Sequence, residues 1–374
     1  MKMNKWTMGL AAAGVVSLAS AAQAEENSVL TALSSTVISG SVEASYVGGF
    51  STNNNMHNDG GFEANGASLD IGSPLGEGDY GASYNVGLLF GNRAGAFAHN
   101  NGEDQLLRSA NIGMNLPFGN GVDLTLGLFD TTVGYEVEAS ASNPNVMRSY
   151  GYLQEPRTHT GLMAATSLTD GLSVSFALIN GFDSSNGDND GHADLGYVLG
   201  AEFTVPDSLG FLGGSTLYAG YVDGSDEGNW VGIDDDGDDV YNADDNTLLY
   251  IGASVNTPIE GLAVGIAYDD RQWGSTVESD SVAVYATYSL SDDASISLRY
   301  DNGTVESGGD EDSFDNLALT LDYSIWENVT TRLELGWESG AGWSTPGLAS
   351  VRNIYDGDPA GDSSYFALNA FYSF

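Results

Sequence analysis

Arg332-Leu333-Glu334-Leu335-Gly336-Trp337-Glu338 sets a large apolar residue at every second position, with charged or small residues between. A β-strand sorts such a pattern onto two faces, one apolar and one polar. The same alternation runs through Leu262, Val264, Ile266 and Tyr268, separated by Ala263, Gly265 and Ala267. It returns at the carboxyl end, where Phe366, Leu368, Ala370, Tyr372 and Phe374 alternate with Ala367, Asn369, Phe371 and Ser373. A soluble sandwich can also alternate, but charges such as Arg332 and Glu334 at strand centres suit a sheet with lipid outside and water inside.

Working outward from these strands, sixteen segments carry the signal: 37–50, 62–73, 80–91, 105–116, 121–130, 157–168, 171–182, 192–204, 214–223, 246–256, 260–271, 278–290, 293–302, 314–326, 329–339 and 363–374. Their connections alternate in length. Residues 51–61, 92–104, 131–156, 183–191, 224–245, 303–313 and 340–362 are long, and only 272–277 on that side is short. The others are tight, as in Pro117-Phe118-Gly119-Asn120, Thr169-Asp170-Gly171, Thr257-Pro258-Ile259-Glu260, Ser291-Asp292 and Glu327-Asn328, with 205–213 of middling length. Short turns on one rim, long loops on the other and an even strand count predict an all-β fold, a transmembrane antiparallel up-and-down barrel of about sixteen strands, with the short turns periplasmic. Lipid leaves no backbone group unpaired, so a sheet that spans must close. A barrel of this size is wide enough for an aqueous channel. Tyr80, Trp273, Tyr288, Tyr300, Trp326 and Trp337 near strand ends are candidates for interfacial girdles.

Composition agrees. The chain has 374 residues, 52 Asp+Glu against 10 Lys+Arg, 50 Gly and no Cys. Lys2 and Lys5 precede an apolar run from Met8 to Ala22 that ends in Ala22-Gln23-Ala24, the form of a signal peptide over residues 1–24, cleaved after Ala24. The remainder would hold 8 Arg, no Lys and all 52 acids. Such a charge excludes nucleic acid as a partner, since a phosphate backbone needs clustered cations. Past the leader no apolar run is long enough for a transmembrane helix. Residues 25–36 form a short leading segment before a barrel over 37–374.

Certain stretches resemble a known family. They are Gly127-Leu128-Phe129-Asp130-Thr131, Gly134-Tyr135-Glu136, Ser142-Asn143-Pro144-Asn145, Arg148-Ser149-Tyr150-Gly151-Tyr152 and Pro156-Arg157-Thr158-His159-Thr160-Gly161-Leu162, with the opening Ala32-Leu33-Ser34-Ser35-Thr36-Val37-Ile38-Ser39-Gly40. Together they are similar to the OmpL-like β-barrel porins of bacterial outer membranes. The resemblance implies a pore-forming protein of the cell outer membrane. The ending at Phe374, with Phe366, Leu368 and Tyr372, resembles the signal read by the barrel-assembly machinery.

Connection 131–156 is the third long loop, and by analogy with sixteen-strand porins it would fold inward and narrow the lumen. It supplies Glu136, Glu138, Glu155 and Arg148. Strand parity turns Arg157, His159, Arg271, Arg299 and Arg332 inward, since an Arg facing mid-membrane lipid costs about 2–4 kcal/mol. Two arrangements of these constriction candidates stay open: loop carboxylates facing a wall of Arg across a transverse field, or arginines that only pin the loop to the wall. Residues 223–245 are strongly acidic; Asp234, Asp236 and Asp238 partly resemble a calcium loop but lack its first Asp and closing Glu. Non-specific divalent cations on acidic outer loops are the expected extent of metal binding, with no cofactor. His57, His99, His159 and His192 stand singly, and no catalytic grouping is found, so an enzyme is not expected. The expected function is passive, cation-preferring diffusion of small hydrophilic solutes and ions, by a chain embedded in outer-membrane lipid and able to form a homotrimer. A saccharide-specific channel and a non-conducting structural or adhesive barrel are the alternatives. Phe129, Tyr285 and Phe371 are the inward aromatics that parity identifies.

Overall fold

The computed structural model describes residues 36–51, 61–74, 80–95, 105–183, 195–224, 229–233, 239–242, 246–274, 277–307, 309–340 and 363–374. The strands are β1 (Val37–Ser51), β2 (Gly61–Ser73), β3 (Ala82–Phe90), β4 (Gln105–Leu116), β5 (Val122–Asp130), β6 (Thr158–Ser167), β7 (Leu172–Ile179), β8 (Gly196–Thr204) and β9 (Thr216–Asp223). After them come β10 (Asn229–Ile233), β11 (Asp239–Asn242), β12 (Asn246–Asn256), β13 (Leu262–Trp273), β14 (Val277–Ser291), β15 (Ala294–Ser307), β16 (Asp310–Trp326), β17 (Val329–Gly340) and β18 (Ser363–Ser373). All but β10 and β11 join one closed antiparallel barrel of sixteen strands, sealed by β1 against β18. At the seam the Gly40 amide donates to the Phe374 carbonyl at 3.1 Å and the Phe374 amide returns the bond at 3.0 Å. Closure gives each barrel strand a neighbour on either side, which is what a hydrocarbon surrounding demands.

The two faces invert the arrangement of a soluble protein. On β12, Leu249 and Ile251 are 40% and 51% exposed, while Leu248 and Tyr250 between them are 0% and 1% exposed. On β15 and β17 the outward positions are Leu298, Tyr300, Leu333, Leu335 and Trp337, and the inward ones are Arg299, Asp301, Arg332 and Glu334. An apolar band turned outward, with buried charge within, is the pattern of a lipid-embedded barrel.

Three sequence expectations need correction. Connection 224–245 contains a hairpin of its own, β10 paired with β11. Residues 303–313 are not a long loop: β15 and β16 run on and stay in register to Ser307 opposite Asp310. Above the membrane neither face of a strand must be apolar, so the alternation that marks a strand fades there. Trp273 is not a girdle residue. It shares the parity of the buried Asp269 and Arg271, and its Nε1 donates to Ser279 Oγ at 3.1 Å. Tyr80, Tyr288, Tyr300, Trp326 and Trp337 are exposed.

Candidate functional site

Between β5 and β6 the chain runs for 27 residues, from Thr131 to Arg157, and this segment touches inward side chains of β1, β13, β14, β15, β16 and β17. A segment that meets inward residues so far around a closed wall lies inside the lumen. Its local order comes from short-range bonds. Asn143 donates to the carbonyls of Val137 and Ala139 and accepts from the Val137 amide, all within 2.8 Å. A helical turn spans Tyr150–Gln154, and its capping residue Ser149 accepts from the Tyr152 amide through its hydroxyl at 3.2 Å. Tyr150, Tyr152 and Leu153 pack against Val305 and Phe314. The extended outer ends of β15 and β16 thus form the seat for this turn, with the Tyr150 and Phe314 rings 3.8 Å apart.

The wall holds the segment by charge. Arg299, fully buried, donates from Nη1 to Glu136 Oε1 at 3.2 Å, from Nε to Asp301 Oδ1 at 2.7 Å, and to the Met147 carbonyl. Glu136 also accepts from the Tyr285 hydroxyl at 3.2 Å and the Ser149 amide at 3.0 Å. Glu334 of β17 accepts from the amides of Val146 and Met147 at 2.6 and 3.0 Å, and from the hydroxyls of Thr320 and Tyr365. Arg332 donates to Asp322 at 2.5 Å and to the Ser140 carbonyl at 2.8 Å. Arg271 donates to the Gln154 carbonyl at 2.8 Å.

On the opposite side, Arg93 from the helical turn Asn92–Gly95 joins Glu138 of the segment to Glu43 of β1, 3.1 Å away. Burial works to raise the Glu138 pKa, but Arg93 and Arg108 outweigh it and hold this carboxyl below its ordinary value. Glu43 further accepts from Ser140 Oγ at 2.8 Å and Asn369 Nδ2 at 2.7 Å. Arg108 of β4 is clasped between Asp70, at 2.6 Å, and Asp130.

A cavity of about 600 Å³ opens beside the segment. Of the nine constriction candidates, Glu136, Glu138, Glu155, Arg157 and Arg332 line it. The other four do not. Arg148 donates to the Glu138 carbonyl at 2.9 Å, and His159 is buried with Nε2 3.0 Å from Thr131 Oγ1. Arg271 and Arg299 lie beneath the segment as its fastenings. Glu136 and Glu138 contact the buried Arg299 and the half-buried Arg93 directly rather than facing arginines across open space. Arg157 donates to the Tyr152 hydroxyl at 2.9 Å, with its guanidinium 4.4 Å from the ring centre.

Sequence reasoning missed Glu43, Asp70, Arg93, Arg108, Asp130, Asp269, Asp301 and Asp322. Parity would have turned Glu43 inward beside outward Val42; Arg93 sits in a loop, where no period marks it. Tyr135, Tyr152, Tyr218 and Tyr250 join Tyr285 around the cavity, more inward tyrosine than parity alone suggested. Asp234, Asp236 and Asp238 lie outside the described residues, as do His57, His99 and His192. At the carboxyl end Leu368, Tyr372 and Phe374 are exposed on the outer face and Phe366 is half-buried there.

Residues 35–374 match the protein family described as "Putative beta-barrel porin-2, OmpL-like". No curated protein sequence matches the chain. Among solved structures it is similar to Salmonella typhi OmpF in complex with daunomycin (TM-score 0.62, 15% identity, 91% of this chain and 97% of that one). It is similar also to the anion-selective porin from Comamonas acidovorans (TM-score 0.61, 12% identity, 91% and 99%). A third is the trimer form of in-vitro folded OmpT of Vibrio cholerae (TM-score 0.58, 14% identity, 91% and 99%). At such identities the likeness is one of fold.

Proposed function

We propose, from the premise that this chain belongs to the putative beta-barrel porin-2, OmpL-like family and is an outer-membrane β-barrel porin, that it passes small hydrophilic solutes and ions by passive diffusion with a preference for cations. The observation that carries this reading is the cavity between segment 131–156 and the wall. Its lining holds six carboxylates, Asp130, Glu136, Glu138, Glu155, Glu202 and Asp322, against three guanidiniums, Arg108, Arg157 and Arg332. Two of those arginines are already held by Asp70, Asp130 and Asp322, and Glu136 and Glu138 by Arg299 and Arg93, which leaves Glu155 and Glu202 facing Arg157. A narrow, low-dielectric path with surplus negative charge concentrates cations. The segment acts as the constriction, with Glu136, Glu138, Glu155, Arg157 and Arg332 bordering the path and Arg148, His159, Arg271 and Arg299 holding it in place. Fold alone does not set the sign of selectivity, since a porin of the same fold is anion-selective.

A saccharide-specific channel is the second reading, supported by the five tyrosines around the cavity, whose rings suit the apolar faces of sugars. Residues 1–24 serve as a cleaved leader, the outward Phe366, Leu368, Tyr372 and Phe374 as the assembly signal, and a homotrimer as the working state, as in the trimer form of the Vibrio cholerae protein. Acidic outer loops attract divalent cations without a dedicated site. Planar-bilayer recording under a salt gradient tests the main reading. Ohmic openings with a cation-directed reversal potential are expected. Zero reversal potential would remove the cation preference, and current blocked by oligosaccharide would favour the second reading. Silence from folded barrels would overturn diffusion itself.

A further inference from the structure

Of the five tyrosines around the cavity, Tyr152, Tyr250 and Tyr285 are buried, whereas Tyr135 and Tyr218 line it half-buried. Tyr218 of β9 stands directly opposite Glu202 of β8 in the strand register, and both residues line the cavity. Such cross-strand partners on one face are within side-chain contact of each other, so a ring and a carboxylate share this patch of wall. On its other flank Tyr218 meets Gly252 of β12. A Cβ there would lie 2.0 Å from the Tyr250 hydroxyl oxygen, so the end of the Tyr250 side chain fills that place. Tyr135 of the inserted segment stacks on Tyr285 of β14, with ring centres 4.3 Å apart and planes at 19°. Its hydroxyl rests on Gly265 of β13, where a Cβ would lie 2.0 Å from the oxygen. Tyr135 and Tyr218 both pack against the apolar cluster that holds Val133 and Tyr250, which fixes the two rings in place.

The chain's own arginines show what this interior does with a guanidinium. Arg157 lies 4.4 Å from the centre of the Tyr152 ring while it donates to the hydroxyl of that same residue. Arg271 lies 3.2 Å from the Phe182 centre and 4.0 Å from that of Trp273, and Arg332 lies 5.0 Å from that of Phe371. A guanidinium is planar, weakly hydrated and charged at every working pH, so it can cover a ring face and still turn its edge N–H groups to an acceptor. An alkylammonium holds its water more tightly and makes a point contact. Tyr218 beside Glu202 offers both halves of the guanidinium's contact, a ring and a carboxylate, in a lining where carboxylates outnumber guanidiniums. A neutral sugar would use the rings and gain nothing from the charge.

We propose that Tyr218 and Glu202, with Tyr135 of the segment, form a subsite in the constriction for solutes that carry a guanidinium group. The proposal rests on the porin reading and narrows it from cations in general to one class of organic cation. The planar head of the solute lies on the Tyr218 ring and donates through its edge to Glu202, and the Tyr135 ring adds apolar surface for the body of the solute. One ring and one carboxylate at a water-filled site hold a solute weakly, so it is retained briefly and released, as passage requires.

The test uses the full protein in planar bilayers and in detergent, with ethylguanidinium as the probe and ethylammonium and a neutral disaccharide as controls. Potassium current is titrated with each compound. Ethylguanidinium is expected to reduce the current saturably, with half-block at about a fivefold lower concentration than ethylammonium, and the disaccharide to leave it unchanged. Tyr218→Phe keeps the ring and should hold the half-block concentration within about twofold, whereas Tyr218→Leu and Glu202→Gln should each raise it about fivefold. Heat-modified migration of each barrel confirms folding before comparison. Equal block by the two cations, an unchanged half-block in both Tyr218→Leu and Glu202→Gln, or block by the disaccharide alone would overturn the subsite. Saturation-transfer NMR in detergent reads contact between ethylguanidinium protons and the barrel without any current. Contact that Tyr218→Leu and Glu202→Gln abolish, in a barrel that does not conduct, would sink the diffusion reading and leave the subsite standing. Ohmic current that ignores the guanidinium head would do the reverse.

Discussion

On β6 to β9 the buried inward residues include Met163, Ala177, Ile179, Val198 and Val222, whereas on β13 to β17 they include Asp269, Arg271, Arg299, Asp301, Asn316, Thr320 and Glu334. The first wall is mainly apolar where the segment enters, although Thr158, His159, Ser173 and Ser175 are buried on the same strands. Val133 of the inserted segment packs there with Phe129 and Phe182, and only hydrogen at position 220 lets it close, since a Cβ on Gly220 would lie 2.3 Å from Val133 Cγ1. The second wall is a row of charges and amides that grips the same segment by its carbonyls, amides and carboxylates. One stretch of chain is thus held by packing where it leaves β5 and by electrostatics where it crosses the lumen. Dispersion and water release are non-directional and tolerate small shifts, whereas a buried ion pair specifies one position and is costly to break. The difference teaches that a porin interior is not uniformly wet: its charge is concentrated where a segment must be fixed in place.

The contrast is broken most directly at Arg299. Arg299→Ala strands Glu136 and Asp301 without their cation, and a loss of about 3–5 kcal/mol is expected, read as a shift of the urea midpoint in detergent together with larger and noisier openings. A cost no greater than that of an apolar deletion on β7 would erase the distinction between the walls. Glu334→Gln keeps the shape but weakens the acceptor of the Val146 and Met147 amides, and about 1–3 kcal/mol is expected, with an increase in current noise. On the mainly apolar wall Ile179→Val removes one methylene from a fully buried side chain. About 0.5–1.5 kcal/mol is expected with conductance and selectivity unchanged, so any change in ion preference would show that this wall also shapes the path.

The smallest effect should come from acid. Glu138 is held below its ordinary pKa by Arg93 and Arg108 despite burial, so its contribution is present above the unfolded value and is lost as pH falls through the folded one. Mild acid should therefore leave the Arg93 end intact and only strong acid release it, as a reversible rise in noise that Glu138→Gln shows already at neutral pH. Loosening of this end at alkaline pH would contradict the assignment.

Legibility in the sequence followed the membrane. Where lipid presses on one face, as along Leu333, Leu335 and Trp337, alternation marks the strand and its parity, and the inward turn of Arg271, Arg299 and Arg332 could be read directly. Where strands rise out of lipid, as at 303–313, polar residues occupy both faces and the same backbone looked like a loop, though it carries Val305, which with the adjoining Phe314 seats the segment's helical turn. Trp273 was misplaced for a related reason: strand ends supply aromatics on both faces, and this one shares the inward parity of Arg271, as the register of β13 bears out.

What the sequence determined by itself was the wall within the lipid band: strand number, the short turns, and the inside or outside sense of residues such as Leu333 and Arg332, because a period of two is a local property that lipid enforces there. What only the tertiary structure decided was which charges meet. Glu136 and Arg299 are 163 positions apart, and Glu43 and Asn369 are 326 apart. Parity gives the face of a side chain but neither its height along the barrel nor its place around it. Those two coordinates come from the register of sixteen strands taken together and from the path of an inserted segment, and they bring Arg93, Arg148, Arg271, Arg299 and Arg332 onto that one segment.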